Sequence, residues 1–450
     1  MNNKIRTIFV DCTETVTTGI NTGIQRNVRN ILCRCGLMSK IYDVKVIPVV
    51  SVCGKLYEYN NVSTNKSMVT FLSNKFAWLR NSLDKQFNKK YEDTPNDLNC
   101  SSAGNANNCQ IKIIEICRSI MPFIFLLAHR IDGTMHDFRP ISIDKDDIIF
   151  YADSFWNTNT VKSILLYENV AKIVLVYDII PISAPEFCDN ITVRMFKKHF
   201  EHIVDYIDGF VTISSSEKNC IEAHLKTLPH NIDLPIEYYL LGADFVSTPQ
   251  NELNVRDSVR DAMGSLKVFL MVGTLEPRKN HAYVLDAFEE LWRCGENISL
   301  CIIGKVGWKC SDIIDRIYTH GQFGKSLFYF YDAVDEELAF CYENCEAVIF
   351  ASVTEGFGLP LVEAMSFGRS VLVSDIPVFR EIGENYPVYF PLFNIEILVE
   401  TLYNFSHGVF KKPQPKAWIS WDESVIDLFG KVLKLAKKSN QRLKYREDNS

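Results

Sequence analysis

The C-terminal half of the chain alternates short, largely apolar runs with stretches of helical spacing, and glycine marks several of the switches. Leu266–Val272 (LKVFLMV) stops at Gly273. His281–Cys294 then carries Val284, Leu285, Ala287, Phe288, Leu291 and Trp292 on one helical face. Ser299–Gly304 and Ser326–Asp332 read as the next two strands. Asp335, Glu336 and Glu337 open the following helix, with acidic groups at its positive end. Glu346–Ser352 is a strand, Leu359–Phe367 a helix stopped by Gly368, and Ser370–Asp375 a strand. Apolar runs without a polar alternate face must be covered on both sides. Strands of that kind alternating with helices predict a parallel sheet between two helical layers.

The N-terminal half repeats the pattern less regularly. Thr7–Cys12, Val44–Val50, Asp147–Ala152, Lys172–Val176 and Gly209–Ser214 read as strands, and Gly23–Cys35 and Ile191–Ile207 as helices. The chain of 450 residues suits two large domains. We expect an acceptor-side domain over 1–245 and a donor-binding domain over 246–415, with Leu241–Ser265 as linker. A helix and tail over 416–450, basic through Lys431–Tyr445, is expected to pack back on the first domain. Residues 60–140 interrupt the alternation. Tyr91–Asn108 reads as a flexible loop, flanked by amphipathic Phe71–Phe87 and Ile111–His129.

Charge and cysteine usage exclude several classes. A net charge of −7 disfavours nucleic acid, which needs a basic face. No leader pattern and no long apolar stretch is read; Met121–Ala128 comes nearest. The expectation is a cytoplasmic chain. The 14 cysteines fit no zinc spacing; Cys12, Cys53, Cys301 and Cys341 stand in apolar surroundings and read as buried thiols. His199-Phe200-Glu201-His202 matches no metal motif and falls within a helix, so no metal is expected.

Three strand-to-helix loops carry the chemistry. In Thr354-Glu355-Gly356-Phe357-Gly358-Leu359-Pro360-Leu361-Val362-Glu363, the glycines allow close backbone approach to a ligand. Amides at the helix start favour an anion, and Pro360 suits the first turn. Glu355 and Glu363 can accept hydrogen bonds from sugar hydroxyls. In Gly273-Thr274-Leu275-Glu276-Pro277-Arg278-Lys279-Asn280-His281, Arg278 and Lys279 form a cationic pair suited to a diphosphate. Thr18–Arg26, with Gly19 and Gly23, is a third such loop but not a Walker loop. Ligands of open parallel sheets sit at the carboxyl ends of the strands. Asp178, after Tyr177 at a strand end, is positioned either to orient an acceptor hydroxyl or to cap a turn. Ser214-Ser215-Ser216 reads as the cap of the next helix.

Taken together, GTLEPRKNH, GKVGW, DEELAFCYENCEAVIFAS, EGFGLPLVEAMSFG and VSDIPVFREIGE resemble family 4 retaining glycosyltransferases over about Leu266–Phe390. DCTETVTTGINTGIQRNVRNI, YDIIPISAPEF, LGADF and Trp421-Asp422-Glu423-Ser424 are most similar to bacterial mannosyltransferases of O-antigen and capsule assembly. The resemblance implies the GT-B fold: two Rossmann-like doubly wound domains facing across a cleft. It implies that Gly273, Arg278 and Lys279 bind the donor diphosphate and Glu363 its ribose. Glu355 would contact the donor sugar, with the backbone of Gly356, Phe357, Gly358 and Leu359 beside it, and Gly23 would close over the diphosphate. Many members carry His where Tyr177 stands; Asp178 is taken as the acceptor-side residue. Arg278, Lys279, Glu355 and Asp178 thus form the expected catalytic set, with no metal or other cofactor. The partners implied are a nucleotide-sugar, best GDP-mannose, and a saccharide or lipid-linked oligosaccharide acceptor, the latter with peripheral contact at the inner membrane face. A nucleotide-sugar epimerase and a non-catalytic sugar-nucleotide-binding scaffold are the competing readings.

Overall fold

The computed structural model describes residues 5–18, 23–59, 138–229, 232–243, 255–264, 267–411 and 413–447. The expectations for Phe71–Phe87, Tyr91–Asn108 and Ile111–His129, and for Gly19, lie outside these residues. The chain builds two sheets. In the first, β1 (Thr7–Asp11), β2 (Lys45–Val52), β3 (Lys55–Tyr59), β4 (Phe138–Pro140), β5 (Ile148–Tyr151), β6 (Ala171–Val176), β7 (Gly209–Thr212) and β8 (Ile236–Tyr238) stand in the order β4-β3-β2-β1-β5-β6-β7-β8. In the second, β9 (Val268–Val272), β10 (Ser299–Ile303), β11 (Leu327–Phe330), β12 (Ala347–Phe350), β13 (Ser370–Ser374) and β14 (Val388–Phe390) stand in the order β11-β10-β9-β12-β13-β14.

The second sheet is parallel throughout. All five residues of β9 and of β10 are buried, as strands covered by helices on both faces require. Each buried Val or Leu there contributes about 1.5–3 kcal/mol of transfer free energy. The first sheet departs from the parallel expectation at one edge, where β2 pairs antiparallel with β3 and β3 with β4. Cys53 and Gly54 make the tight turn, both at positive φ, a geometry that matches hairpin twist. That position corrects the reading of Cys53 as a buried thiol, since the turn leaves it exposed. Cys12, Cys301 and Cys341 are buried and free.

Two further boundaries differ. The helix expected over Gly23–Cys35 ends at Cys33, and a second helix occupies Cys35–Tyr42. The span read as linker contains the helix Asp257–Met263, which buries Val259, Ala262 and Met263. Arg256 fixes it to the second sheet's helical layer through Glu337 (2.6 Å) and Asp332 (3.0 Å). Beyond that layer the helix Trp421–Glu447 crosses to the first sheet. Phe429 meets Phe150 of β5 edge-on at 6.1 Å, Lys434 pairs with Glu237 at 2.6 Å, and Lys431 donates to the Tyr238 carbonyl. Among the described residues, no helix is long and apolar enough to cross a membrane.

Candidate active site

β9 lies between β10 and β12, so the chain leaves its carboxyl end at the switch point of the second sheet. Two loops emerge there. After β9, Gly273 leads to Glu276 and a single 3-10 turn, Pro277–Lys279. After β12, Ser352–Gly358 leads into the helix Leu359–Ser366, with Pro360 in its first turn. The Val353 amide donates to the Arg278 carbonyl at 2.8 Å, binding the two loops together.

The side chains of these loops form a closed charge network. Arg278 Nη1 pairs with Glu355 Oε2 at 2.5 Å, and its Nη2 with Glu276 Oε1 at 2.5 Å. Lys279 Nζ pairs with Glu355 Oε1 at 2.5 Å, and Ser352 donates to the same oxygen at 2.7 Å. Arg278 also donates to the Thr354 carbonyl. Glu276, Lys279 and Glu355 are all buried. Burial pushes the Glu355 carboxyl upward, but Arg278 and Lys279 outweigh it and bring it down to about 2. Burial likewise disfavours the Arg278 charge, and Glu355, Glu276 and Asp178 more than restore it. For Glu276 burial prevails over Arg278 and Lys279, and its carboxyl is raised. Behind Lys279, burial and that neighbouring cation hold His281 at about 3, so its imidazole is neutral. The network therefore keeps Glu355 ionised, with Arg278 and Lys279 both held on it.

The first sheet presses directly on this site. A Cβ at Gly356 would lie 2.7 Å from the Tyr177 carbonyl oxygen and 3.1 Å from the Asp178 Cβ, so only glycine allows this approach. Gly358, at φ 100° and packed on the Phe379 ring, turns the chain into the helix. Asp178 follows β6, accepts from the Ile180 amide at 3.1 Å and is half-buried. Desolvation raises its carboxyl, against the pull of Arg278. Tyr177 turns the other way: its hydroxyl donates to the Ala152 carbonyl and accepts from Asn27 inside the first sheet's core.

Ser214 caps the helix Ser215–Leu225, as its sequence suggests, and its hydroxyl also donates to the Gly356 carbonyl at 2.9 Å. The Ser215 and Ser216 amides donate to Glu381 of the second sheet's helical layer at 2.7 and 2.8 Å. Trp308 and Lys309, after β10, donate to the Phe187 and Cys188 carbonyls. Glu217, buried beside Asp178, accepts from the Ile179 amide at 3.2 Å; burial and then Asp178 push it to about 8.

The remaining expected residues are placed as follows. Gly273 follows β9, and a Cβ added there would lie 3.4 Å from the Lys279 Cε. Phe357 is buried, edge-on to Trp418 at 6.1 Å, so at this position the backbone rather than the ring is available to a ligand. Leu359 is the first residue of its helix. Glu363 is 2% exposed; it accepts from Arg26 at 2.8 Å and from the Tyr342 hydroxyl at 2.9 Å. Gly23 opens the helix Gly23–Cys33 and is exposed. Sequence reasoning missed Glu276, Arg26, Tyr342, Glu217 and Glu381. Glu276 had a signal, an acid two residues before the arginine, whereas Arg26 and Glu363 are 337 positions apart. His199 binds the Trp156 carbonyl at 2.7 Å. Among the described residues, no three His, Cys, Asp or Glu side chains are grouped to hold a metal ion.

Residues 259–405 match the family described as Glycosyl transferases group 1. The serotype-specific mannosyltransferase WbdA of Escherichia coli is 31% identical over 312 residues, 66% of this chain and 38% of that protein. This chain thus spans well under half of that relative's length. The O-antigen chain mannosyltransferase RfbU of Salmonella typhimurium is 24% identical over 54% of this chain and 66% of its own length. Among solved structures, sucrose-phosphate synthase from Thermosynechococcus elongatus superposes with a TM-score of 0.53 at 14% identity, covering 99% of this chain and 100% of that one. Anabaena Alr3699/HepE, in complex with UDP and glucose, gives 0.51 at 12% identity, covering 98% and 99%. At such identities the likeness speaks for the fold: two sheets facing across a seam, the GT-B architecture.

Proposed function

Starting from a GT-B chain whose residues 259–405 make up a glycosyl transferases group 1 domain, we propose that it is a metal-independent, retaining hexosyltransferase of surface polysaccharide assembly. The donor proposed is GDP-mannose, and the acceptor a saccharide or lipid-linked oligosaccharide. The mannosyltransferase relatives support the sugar and the pathway class. A lipid-linked acceptor brings the chain, as a peripheral cytoplasmic protein, to the membrane surface.

One observation carries the reading of the site. Arg278 and Lys279 are both fixed on the buried Glu355 at the carboxyl ends of β9 and β12, next to Asp178 across the seam. In transfer, the bond from the sugar's anomeric carbon to the diphosphate breaks, and that carbon bonds the acceptor oxygen. The acceptor proton passes to the leaving phosphate, with departure and attack on the same face. Negative charge grows on the diphosphate as it leaves. Arg278, Lys279 and the amides opening Leu359–Ser366 supply positive charge already in place, so little reorganisation is needed and no divalent ion is required. Glu355 acts by holding the two cations and by offering an oxygen to a sugar hydroxyl. Asp178 orients the acceptor hydroxyl, and Glu363 takes the ribose.

Incubation with GDP-mannose, with and without a saccharide acceptor and without metal, tests this. Slow release of GDP, accelerated by acceptor with a glycosylated product, is expected. Isomerised donor would replace the proposal with an epimerase, and binding without turnover would replace it with a scaffold.

A further inference from the structure

The two carboxylate oxygens of Glu363 are both engaged by side chains of the chain itself. Tyr342, on the same domain, donates to Oε2 at 2.9 Å. Oε1 takes Arg26, which stands in the first turn of Gly23–Cys33 and belongs to the opposite sheet. The pair is asymmetric: the Glu363 side chain is 3% exposed and that of Arg26 is 37% exposed. Arg26 keeps much of its hydration and can leave at modest cost. Glu363, stripped of water, needs a replacement donor. A vicinal diol offers two hydroxyl donors at the spacing of one carboxylate, and in exchange frees a guanidinium that water can resolvate.

We propose that Arg26 is a gate on the nucleoside end of the donor pocket: it occupies Glu363 in the empty chain and yields it to the ribose hydroxyls of the donor. The inference rests on the reading of Glu363 as the ribose residue. Donor entry then breaks an ion pair joining the two sheets. The measured affinity is lowered by the stability of that pair, as for any ligand that must displace an internal competitor. Arg26 is therefore a positioning residue and makes no contact with the reacting atoms.

The test is titration calorimetry of GDP, with UDP in parallel, into the full chain as wild type, Arg26→Ala, Arg26→Lys, Glu363→Ala and the double variant. Arg26→Ala should bind the nucleotide about 5-fold tighter, the scale of a partly exposed ion pair. Arg26→Lys should restore the wild-type value. In the Glu363→Ala background, where nucleotide affinity is already weakened, Arg26→Ala should have no further effect. Unchanged or weaker binding by Arg26→Ala, with Glu363→Ala still impaired, overturns the gate and leaves the donor reading standing. Wild-type affinity in Glu363→Ala overturns the donor reading, and the gate with it.

Discussion

Both sheets bury carboxyl groups at the carboxyl ends of their strands, yet the acidity of Asp11 and Asp153 is shifted in the opposite direction from that of Glu355. Asp11 ends β1 and Asp153 follows β5; both are at most 1% exposed. Asp11 is held by the Thr13 amide and hydroxyl and by the Thr160 hydroxyl, Asp153 by the Thr15 and Ser154 amides. For each, burial outweighs those hydrogen bonds, and the carboxyls rise to about 7 and about 6. Glu355, after β12 of the second sheet, is also buried but touches two cations, and falls to about 2. Neutral donors only soften the desolvation of a carboxylate, whereas the two cations contacting Glu355 reverse it; the single contact from Arg278 does not do so at Glu276. The acidic residues of the first sheet brace the fold around Thr13–Thr18, while Glu355 fixes the positive charge that transfer requires.

Removing a cation gives the largest expected effect on this contrast. Arg278→Ala should lower kcat/KM by a factor worth roughly 3 kcal/mol, the size of losing one preorganised oxyanion donor. It should also cost stability of about 3 kcal/mol, because Glu276 and Glu355 stay buried with a partner missing. Single-turnover kinetics and urea unfolding measure the two, and near-normal turnover would remove Arg278 from the mechanism.

A matched pair of isosteric changes sharpens the comparison. Glu355→Gln leaves two cations facing a neutral amide and should cost about 3 kcal/mol. Asp11→Asn replaces a group that, raised to about 7, is protonated in about half of the molecules at pH 7, and should stay within about 1 kcal/mol there. Their pH dependences should run in opposite directions. The folded Asp11 carboxyl, raised from 3.8 to about 7, binds more protons than in the unfolded chain. Its contribution is therefore greatest below pH 4 and is lost as pH rises to about 7. Glu355, lowered from 4.5 to about 2, contributes fully above 4.5 and loses that as pH falls. Thermal unfolding between pH 4 and 8 should show a shallower neutral-side decline in Asp11→Asn. A decline identical to wild type would show that this group is already ionised at low pH.

The smallest expected effect lies in the seam that brings the two sheets together. Glu381→Ala leaves the Ser215 and Ser216 amides at a helix start without their carboxylate and should cost about 1 kcal/mol. Glu381→Gln should recover part of this. Calorimetric melting of the three forms reads the difference; no loss would mean that water replaces the carboxylate at no cost.

How much of this was legible in the sequence depended on how local each signal was. β9, β10, β12 and β13 are buried on both faces, so their residues form unbroken apolar runs that point to parallel strands. The edge hairpin escaped because β3 is short and carries Lys55 and Glu58. The helix Asp257–Met263 escaped because its three buried residues sit among charges that read as linker. At the site, Arg278, Lys279 and Glu355 lie in strand-to-helix loops whose glycines and prolines mark them, and Glu363 stands one turn into the helix that follows. Their partners are less visible. Arg26 comes from a helix hundreds of positions away, and Asp11 and Asp153 look like ordinary strand-end acids until packing removes their water.

The most direct test of a donor site at the ends of β9 and β12 is a metal-free thermal-shift panel of GDP-, UDP- and dTDP-sugars on wild type and Glu363→Ala. A ligand at 100 times its dissociation constant adds about 2.7 kcal/mol of stability. One donor, GDP-mannose by this account, should raise the wild-type melting temperature and lose that effect in Glu363→Ala. An equal shift in both proteins, or none in the wild type with any donor, would contradict the account.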